Sequence, residues 1–420
     1  MSPHSRTARP GDGPAAGTPG LHVLWFGFPA YGHIKPTLGV VEELIGRGHR
    51  VTYVVADRLA ARVAETGARV VPYSSPFPES ITTTGGVDLA TTMLMGFVEE
   101  SFAPLETALE CAAADRPDVI VHDALASDTA VAVGRRHGVP TVRTYAGFGT
   151  NDQVPLNGTE NQPDQVPADP TDPRLRELGA RLTARIEAAG VADLLADGMA
   201  SGDDAALNVS FVTREFQIRG ETFGDDYLFA GPCPRPADYA GSWKPPESAA
   251  PVLLVSLGTS TNRRPDFFRG CAETFAETPW HVVMTLGTGV DPASLGPLPP
   301  NVEAHPWIQH PVVLEHATAF VCQGGTGSLM EAFHQGVPAV VVPQQWDAHA
   351  TAQHVVDLGL GRAIPPADLD AESLRVAVDA VAADVPTRRR VEEMRRSTRR
   401  APGAVGVAER LETIADRGVQ

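Results

Sequence analysis

The stretch FVCQGGTGSLMEAFHQGVPAVVVPQ, residues 320–344, contains the pattern that decides the fold. It predicts the end of an apolar strand, a glycine-rich turn, a helix, a reverse turn at residues 336–338 and a second strand. A strand, a helix and a further strand in this order indicate a parallel βαβ unit. The glycine-rich turn therefore lies at the carboxyl end of a strand, where ligands bind in such sheets.

The same alternation of apolar strand and helix recurs along the chain from Leu21. Strands are predicted in the first half at HVLWFGF, HRVTYVVA, DVIVHDA and VPTVRTYA. The second half repeats the pattern at PVLLVSLGT, WHVVMTLG, TAFVCQGG and PAVVVPQ. Apolar strands that alternate with helices indicate parallel sheets covered on both faces. The predicted fold class is therefore α/β, with two doubly wound, Rossmann-like parallel-sheet domains that face each other across a cleft.

Proline marks the boundary between the two halves, because GPCPRPADYAGSWKPPESAAP at residues 231–251 contains six prolines. A single helix is predicted over TTMLMGFVEESFAPLETALE, residues 91–110. The expected divisions of the chain are a disordered tail at 1–20, an N-terminal domain at 21–230, a linker at 231–250, a C-terminal domain at 251–400 and a terminal helical segment at 401–420.

Composition argues against two classes of partner. The 420-residue chain has a formal net charge of -17. Such a negative protein is repelled by the phosphates of nucleic acid and by an anionic membrane, and it has no excess of basic residues to counter this repulsion. Its four cysteines are widely separated and fit no CxxC spacing, and we expect reduced thiols in a cytoplasmic protein. We expect no membrane span and no secretion signal, because no apolar run has the required length.

Two glycine-containing turns in the second half are candidates for a diphosphate site. The turn QGGTGS at residues 323–328 opens a helix, whose first N–H groups and positive dipole end suit an anion. The turn SLGT at residues 256–259 follows the first strand of the same half. Tight packing explains one such turn, but two at strand ends favour a diphosphate. The GxGxxG nicotinamide fingerprint is absent after the first strand, where GFPAYGHIKP stands.

Three separated blocks resemble the family 1 GT-B glycosyltransferases, in particular bacterial enzymes that glycosylate macrolides and enediynes. The blocks are FPAYGHIKPTLGVVEELIGRGHRVTYVV, VIVHDALASDTAVAVGRRHGVPTV and PWIQHPVVLEHATAFVCQGGTGSLMEAFHQGVPAVVVPQQWDAHA. The resemblance implies a GT-B fold with an N-terminal acceptor domain, a C-terminal nucleotide-sugar domain and a last helix that packs back on the N-terminal domain. It implies inverting transfer from a TDP- or UDP-linked sugar to a hydroxyl of a small-molecule natural product, by a monomer or homodimer.

The resemblance also assigns the catalytic pair. His33 corresponds to the general base, and Asp123 to the carboxylate that hydrogen-bonds this histidine and balances its charge. An imidazole suits removal of a hydroxyl proton near neutral pH, and a carboxylate behind it fixes the tautomer. Without the resemblance, His33 would be interpreted as a packed loop histidine.

Further residues are assigned to the two substrates. In the donor site Trp307 corresponds to the nucleobase contact, Glu331 to the ribose contact and Asp347 to the sugar contact. The full set of expected donor residues is Ser256, Gly258, Thr259, Trp307, Gln323, Gly325, Thr326, Gly327, Ser328, Glu331, Asp347 and His349. The expected acceptor residues are Phe28, Tyr31, Met93, Met95, Phe97 and Phe148. For Met93, Met95 and Phe97, ordinary core packing is the alternative interpretation.

The chain departs from the family pattern at three places. Gln323 replaces the usual His, and its amide donates a hydrogen bond but cannot become cationic, a loss on the order of 1 kcal/mol. Ala348 and His349 stand where the family has Gln beside the acidic residue, and His349 is the expected substitute. Lys35 replaces an Asn and is interpreted as a surface charge.

Two alternatives to transfer remain open: a sugar-nucleotide epimerase on the same fold, and a non-catalytic homologue that binds nucleotide or activates a partner enzyme. The string Asp368-Leu-Asp370 spells the DxD pattern of metal-dependent transferases. Because it precedes a predicted helix, helix capping explains it better. We therefore expect no metal and no cofactor.

Overall fold

The computed structural model of the protein describes residues 20–78, 86–155, 168–195, 205–259, 262–344 and 346–418. The tail expected at 1–20 lies outside the described residues except for Gly20. Within the described part of the chain, no helix is both long and apolar enough to cross a bilayer.

Seven parallel strands form the first sheet, in the order β3-β2-β1-β4-β5-β6-β7. The strands are β1 His22–Phe26, β2 Arg50–Ala56, β3 Arg69–Tyr73, β4 Val119–Asp123, β5 Thr141–Tyr145, β6 Leu207–Ser210 and β7 Tyr227–Phe229. Alternate residues of β1 enter two different apolar clusters, with Val23 and Trp25 on one face and Leu24 and Phe26 on the other. Burial on both faces explains why these strands are apolar throughout.

Six parallel strands form the second sheet, in the order β10-β9-β8-β11-β12-β13. They are β8 Val252–Ser256, β9 His281–Thr285, β10 Val302–His305, β11 Ala317–Cys322, β12 Ala339–Val341 and β13 Gly361–Ala363. The prediction of two doubly wound parallel-sheet domains is therefore confirmed. One apolar cluster joins the halves, since Phe216 of the first packs edge-on against Phe333 of the second.

Helices cover both faces of each sheet. The α-helices are α1 Tyr31–Gly46, α2 Ala60–Ala64, α3 Gly86–Phe102, α4 Leu105–Ala114, α5 Asp128–His137, α6 Pro173–Ala188, α7 Pro265–Thr274, α8 His310–Leu314, α9 Thr326–Gln335, α10 Trp346–Asp357, α11 Ala371–Ala383, α12 Val385–Arg400 and α13 Gly403–Gly418. The terminal helix α13 packs against α1, and Val407 and Leu411 lie in the same apolar cluster as β1.

The single helix predicted over residues 91–110 is wrong, because the structure divides it. Helix α3 ends at Phe102 and α4 begins at Leu105, with Pro104 between them. Proline has no N–H to donate to the preceding turn, and its ring clashes with the carbonyl four residues earlier. Residues of α3, among them Met93 and Phe97, pack in the same apolar cluster as Phe28, which follows β1.

The order of strands fixes where a ligand can bind. In the first sheet the chain order reverses between β1 and β4, and in the second between β8 and β11. Ligands of open parallel sheets bind beyond the carboxyl ends of the strands at such a reversal. His33 follows β1 and Asp123 ends β4, while the two glycine-containing turns follow β8 and β11. The topology thus places His33 and Asp123 at one reversal point and the two glycine-containing turns at the other.

Candidate active site

His33 and Asp123 form a hydrogen-bonded pair at the first reversal point. The His33 Nδ1 and Asp123 Oδ2 atoms are 2.7 Å apart. Asp123 is buried, and its other oxygen accepts a bond from the N–H of Leu125 at 2.9 Å. A carboxylate only accepts, so Nδ1 is the protonated nitrogen and Nε2 has the lone pair. The His33 side chain is 26% exposed, so its imidazole is accessible from the cleft.

An apolar wall lies beside this histidine. The ring of Phe28 is 5.0 Å from that of His33, and it stacks on Phe97 at 5.7 Å. Met93 is buried in the same cluster. Phe77 completes the wall at 4.8 Å from Phe28, and the sequence analysis missed it because a lone Phe in a proline-containing loop has no periodic pattern.

Three of the expected acceptor residues lie elsewhere: Tyr31 contacts Trp307, and Met95 and Phe148 pack in other apolar clusters. Met95 packs against the cluster of Phe102, because it is two positions from Met93 and therefore points to a different side of α3. Phe148 stacks on Phe216 at 5.5 Å and contacts His354 edge-on at 5.7 Å. None of the three belongs to the Phe28 cluster, so the structure does not bring the six acceptor candidates together.

The two glycine-containing turns of the second half meet at Gln323. Gly258 has φ +71°, and a Cβ placed on it would lie 2.6 Å from the Nε2 atom of Gln323. Ser256 is buried, and its hydroxyl accepts a bond from the N–H of Gly258 at 3.2 Å, so this serine shapes the turn. Asn262, which the sequence analysis missed, is buried and donates to the carbonyl of Gly258 at 3.1 Å. Thr259 is half-buried at the end of the same turn.

Helix α9 begins at Thr326, and its N-cap residue is Gly325, which has no side chain to cap the first turn. The first N–H groups of a helix have no partner within it, so the start of α9 offers donors to a ligand. Gly325 and Gly327 are exposed there, while Thr326 and Ser328 are half-buried. The hydroxyl of Thr326 lies 3.4 Å from the carbonyl oxygen of Ala146, across the cleft in the first half.

Trp307 contacts two residues of the opposite half. Its indole is 38% exposed and meets the ring of Tyr31 edge-on at 5.2 Å. The guanidinium of Arg62 lies 5.3 Å from the ring centroid, within range of a cation–π contact. Tyr31 was expected beside the acceptor, but the structure places it against Trp307. Arg62 was missed, because an arginine on an exposed helix face gives no local signal.

Glu331 is engaged across the cleft by Lys35. Lys35 donates from Nζ to Glu331 Oε1, and the Lys35 and Glu331 side chains are only 20% and 16% exposed. His310 Nδ1 lies 3.7 Å from Glu331 Oε2. Burial raises the pKa of Glu331, but the positive charge of Lys35 and the nearby His310 ring outweigh it and lower the pKa to about 2. The interpretation of Lys35 as a surface charge is therefore wrong, and the role of His310 was missed.

The position expected for the sugar is described only in part. The backbone of Asp347 belongs to α10, and its side chain lies outside the described residues. Ala348 is buried against Gly324, so the small residue at this place is a packing requirement. His349 is half-buried on the same helix. Asp370 caps α11 by accepting from the N–H of Ser373, as predicted for the DxD string.

Comparisons with known proteins identify relatives of this chain. Residues 273–414 match the family described as erythromycin biosynthesis protein CIII-like, C-terminal domain. The demethyllactenocin mycarosyltransferase of Streptomyces fradiae is 35% identical over 406 residues, with 94% of this chain and 86% of that protein covered. The oleandomycin glycosyltransferase of Streptomyces antibioticus is 32% identical, with 94% of each chain covered.

A solved structure gives the same result. The crystal structure of the calicheamicin glycosyltransferase CalG4 superposes with a TM-score of 0.80 at 38% identity, covering 95% of this chain and 99% of that one. Identity above 30% over nearly the whole length, together with two parallel-sheet domains in the same arrangement, identifies an enzyme that transfers sugars. The chain therefore belongs to the family 1 natural-product glycosyltransferases, and its two domains have the GT-B fold.

Proposed function

We propose that this glycosyltransferase moves a sugar, with inversion and without a metal, from a TDP- or UDP-linked donor to a hydroxyl of a natural-product acceptor. The observation that carries the proposal is the 2.7 Å contact between His33 Nδ1 and Asp123 Oδ2. It leaves Nε2 as the basic nitrogen of an imidazole that is accessible from the cleft.

The proposed step balances its proton and its electron pairs. Nε2 of His33 takes the proton of the acceptor hydroxyl, and the Asp123 carboxylate stabilises the imidazolium that forms. The acceptor oxygen bonds to the anomeric carbon from the face opposite the diphosphate. The bond from that carbon to the diphosphate oxygen breaks, and its electron pair leaves with the nucleotide.

The leaving diphosphate gains negative charge, which the start of α9 is placed to stabilise. Backbone N–H groups at Thr326, Gly327 and Ser328, with the helix dipole behind them, supply donors without a metal ion. Gln323 adds a neutral amide at the meeting point of the two turns. In this proposal Trp307 packs on the nucleobase, Glu331 accepts from the ribose, and Asp347 and His349 contact the sugar.

The acceptor is proposed to lie against Phe28, Met93 and Phe97. These side chains form an apolar wall next to His33, which suits a large apolar molecule with a hydroxyl directed at Nε2. The names of the relatives support this class of acceptor, since they refer to lactenocin, oleandomycin and calicheamicin compounds.

His33→Ala tests the proposal. Transfer to a hydroxylated macrolide should fall by at least about a hundredfold, because general-base catalysis is lost. Calorimetric affinity for TDP and for UDP, measured without metal, should be unchanged, and wild-type product should have the inverted anomeric configuration by NMR. His137→Ala, at the far end of α5, is the matched control and should leave both quantities unchanged.

Two results would overturn the proposal. Near-normal transfer by His33→Ala would contradict the assignment of His33 and Asp123 as the catalytic pair. Failure of both nucleotides to bind the wild-type protein would contradict the assignment of the diphosphate site. Conversion of the donor sugar without an acceptor would instead support the epimerase alternative.

A further inference from the structure

Helix α1 carries more than the general base. Tyr31 and Lys35 are four positions apart and so share one face of the helix, whereas His33 is two positions from each and lies on a different side. Both contact the second half of the molecule: Tyr31 meets Trp307, and Lys35 meets Glu331. In the proposed function these two partners hold the nucleobase and the ribose. The helix that carries the base therefore contacts the nucleoside end of the donor site directly.

Lys35 is unusual within this chain. Lysine and arginine together number 34, and only Lys35 and Lys244 are lysines. Lys244 is exposed on the linker, whereas Lys35 is mostly buried and extends across the cleft to a carboxylate on another domain. A buried ion pair is weak evidence for stability, because desolvation of both charges offsets their attraction. A specific positional role accounts for it better than stability does.

Lys35 and His310 orient the Glu331 carboxylate but do not use all of its hydrogen-bond acceptor sites. Lys35 contacts Oε1, and His310 approaches Oε2 at 3.7 Å. Each carboxylate oxygen has two lone pairs, so both oxygens can still accept a hydroxyl. A carboxylate held from two sides loses little rotational freedom when it binds a ribose.

We propose that Lys35 is a positioning residue that ties the His33 helix to Glu331, and so couples nucleoside binding to placement of the general base. The inference rests on the proposed function, since it assumes that Glu331 receives the ribose. Its consequence is that Lys35 strengthens donor binding through Glu331 and does not compete with the ribose for it.

The test uses the full chain with Lys35→Met, Lys35→Arg and the matched control Lys244→Met. Calorimetry measures the affinity for UDP, TDP and inorganic pyrophosphate, and assays measure kcat and KM for the nucleotide-sugar. Lys35→Met should weaken nucleoside diphosphate binding roughly tenfold, as coupled neighbours do. Because His33 lies on the same helix, Lys35→Met should also lower kcat. Pyrophosphate affinity should not change, Lys35→Arg should restore most of the loss, and Lys244→Met should match wild type.

A double-mutant cycle with Glu331→Gln locates the effect. In the Glu331→Gln background, Lys35→Met should weaken the affinity for UDP and TDP by less than about twofold, because the carboxylate that Lys35 contacts is already absent. Tighter nucleotide binding by Lys35→Met would overturn the proposal in favour of competition. An equal loss for pyrophosphate would overturn it in favour of direct contact with the diphosphate. The proposal would also be overturned if the losses of nucleotide affinity in Lys35→Met and Glu331→Gln were additive in the double variant. It would be overturned as well if Lys35→Arg bound nucleotide as weakly as Lys35→Met.

Failure of the underlying assignment gives a different result. If Glu331→Gln alone binds UDP and TDP as tightly as wild type, Glu331 does not hold the ribose and the donor assignment fails. If Glu331→Gln weakens both but Lys35→Met does not, the donor assignment stands and only the role of Lys35 fails.

Discussion

The imidazole of His33 is oriented from behind by the carboxylate of Asp123. Asp123 is buried at the end of β4, one oxygen facing Nδ1 of His33 and the other facing the N–H of Leu125. Two acceptor contacts made by one rigid carboxylate fix both its own rotamer and the tautomer of the ring. The identity of residue 123 therefore decides which nitrogen of His33 can take a proton.

Asp123→Asn should lower kcat by roughly 10²–10⁴-fold, because an amide nitrogen donates to Nδ1 and leaves Nε2 protonated. The amide oxygen can keep the bond from Leu125, so the fold should persist. The measurement is kcat for transfer, with calorimetric UDP and TDP affinity as the control that stays unchanged. Retention of more than about a tenth of the activity would contradict this orientation role.

At the scale of elements, the turn before α9 has glycines of two kinds. Gly324 has φ +101°, and a Cβ on it would lie 3.0 Å from Val341 Cγ1 and 3.3 Å from the carbonyl oxygen of Ala348. A Cβ on Gly327 would meet nothing within 4 Å. The positive φ of Gly324 requires a glycine at that position. At Gly327, only a ligand at the start of the helix would require one.

Gly324→Ala should therefore lower the free energy of unfolding by about 1–3 kcal/mol, through backbone strain and crowding. Gly327→Ala should leave that free energy unchanged or raise it by less than about 1 kcal/mol, since alanine favours helix. Gly327→Ala should instead weaken UDP and TDP binding, because its methyl group occupies the approach of the diphosphate. Urea unfolding measures the effect on stability, and calorimetry measures the effect on nucleotide binding. A Gly327→Ala variant with wild-type nucleotide affinity would refute the proposed diphosphate site at the start of α9.

For the whole molecule, histidines whose pKa is lowered by burial contribute to the response to acid. His122 is fully buried, and its Nδ1 lies 3.1 Å from the carbonyl oxygen of Asp123. Burial, assisted by the positive charge of Arg143, lowers the pKa of His122 from 6.5 to about 4. Between these two values the unfolded chain binds a proton at this site and the folded protein does not. The stability associated with neutral His122 is therefore complete above pH 6.5 and is lost as the pH falls towards 4.

When the pH falls from 7 to 5, His122 should lower the free energy of unfolding by about 2 kcal/mol. His122→Gln should show a correspondingly smaller loss over the same interval, measured by urea unfolding at each pH. His334, whose pKa burial and nearby arginines also lower to about 4, adds to the slope in both proteins. Equal slopes for wild type and His122→Gln would contradict the assignment.

Local pattern was sufficient for much of the fold and for part of the site. Apolar strands that alternate with helices predicted both sheets, because burial on both faces demands continuous apolar runs. The turn before α9 lies beyond the carboxyl end of a strand, as its glycines and the following helix predicted, whereas His33 and Asp123 were assigned from the family resemblance. The strands and the glycine-rich turn depend on neighbours along the chain, so the sequence itself reveals them.

Tertiary structure decided everything that depends on contact between distant segments. Lys35 looked like a surface charge because its partner Glu331 is 296 residues away. Met93 and Met95 lie on different sides of α3, and only the packing of that helix shows that the side of Met93 is the one beside Phe28. Tyr31 faces Trp307 only because the two sheets approach each other with their carboxyl edges. Sequence patterns record the burial and turn chemistry of each segment, whereas the partner of a side chain across a cleft is set by domain packing, which leaves no local periodicity.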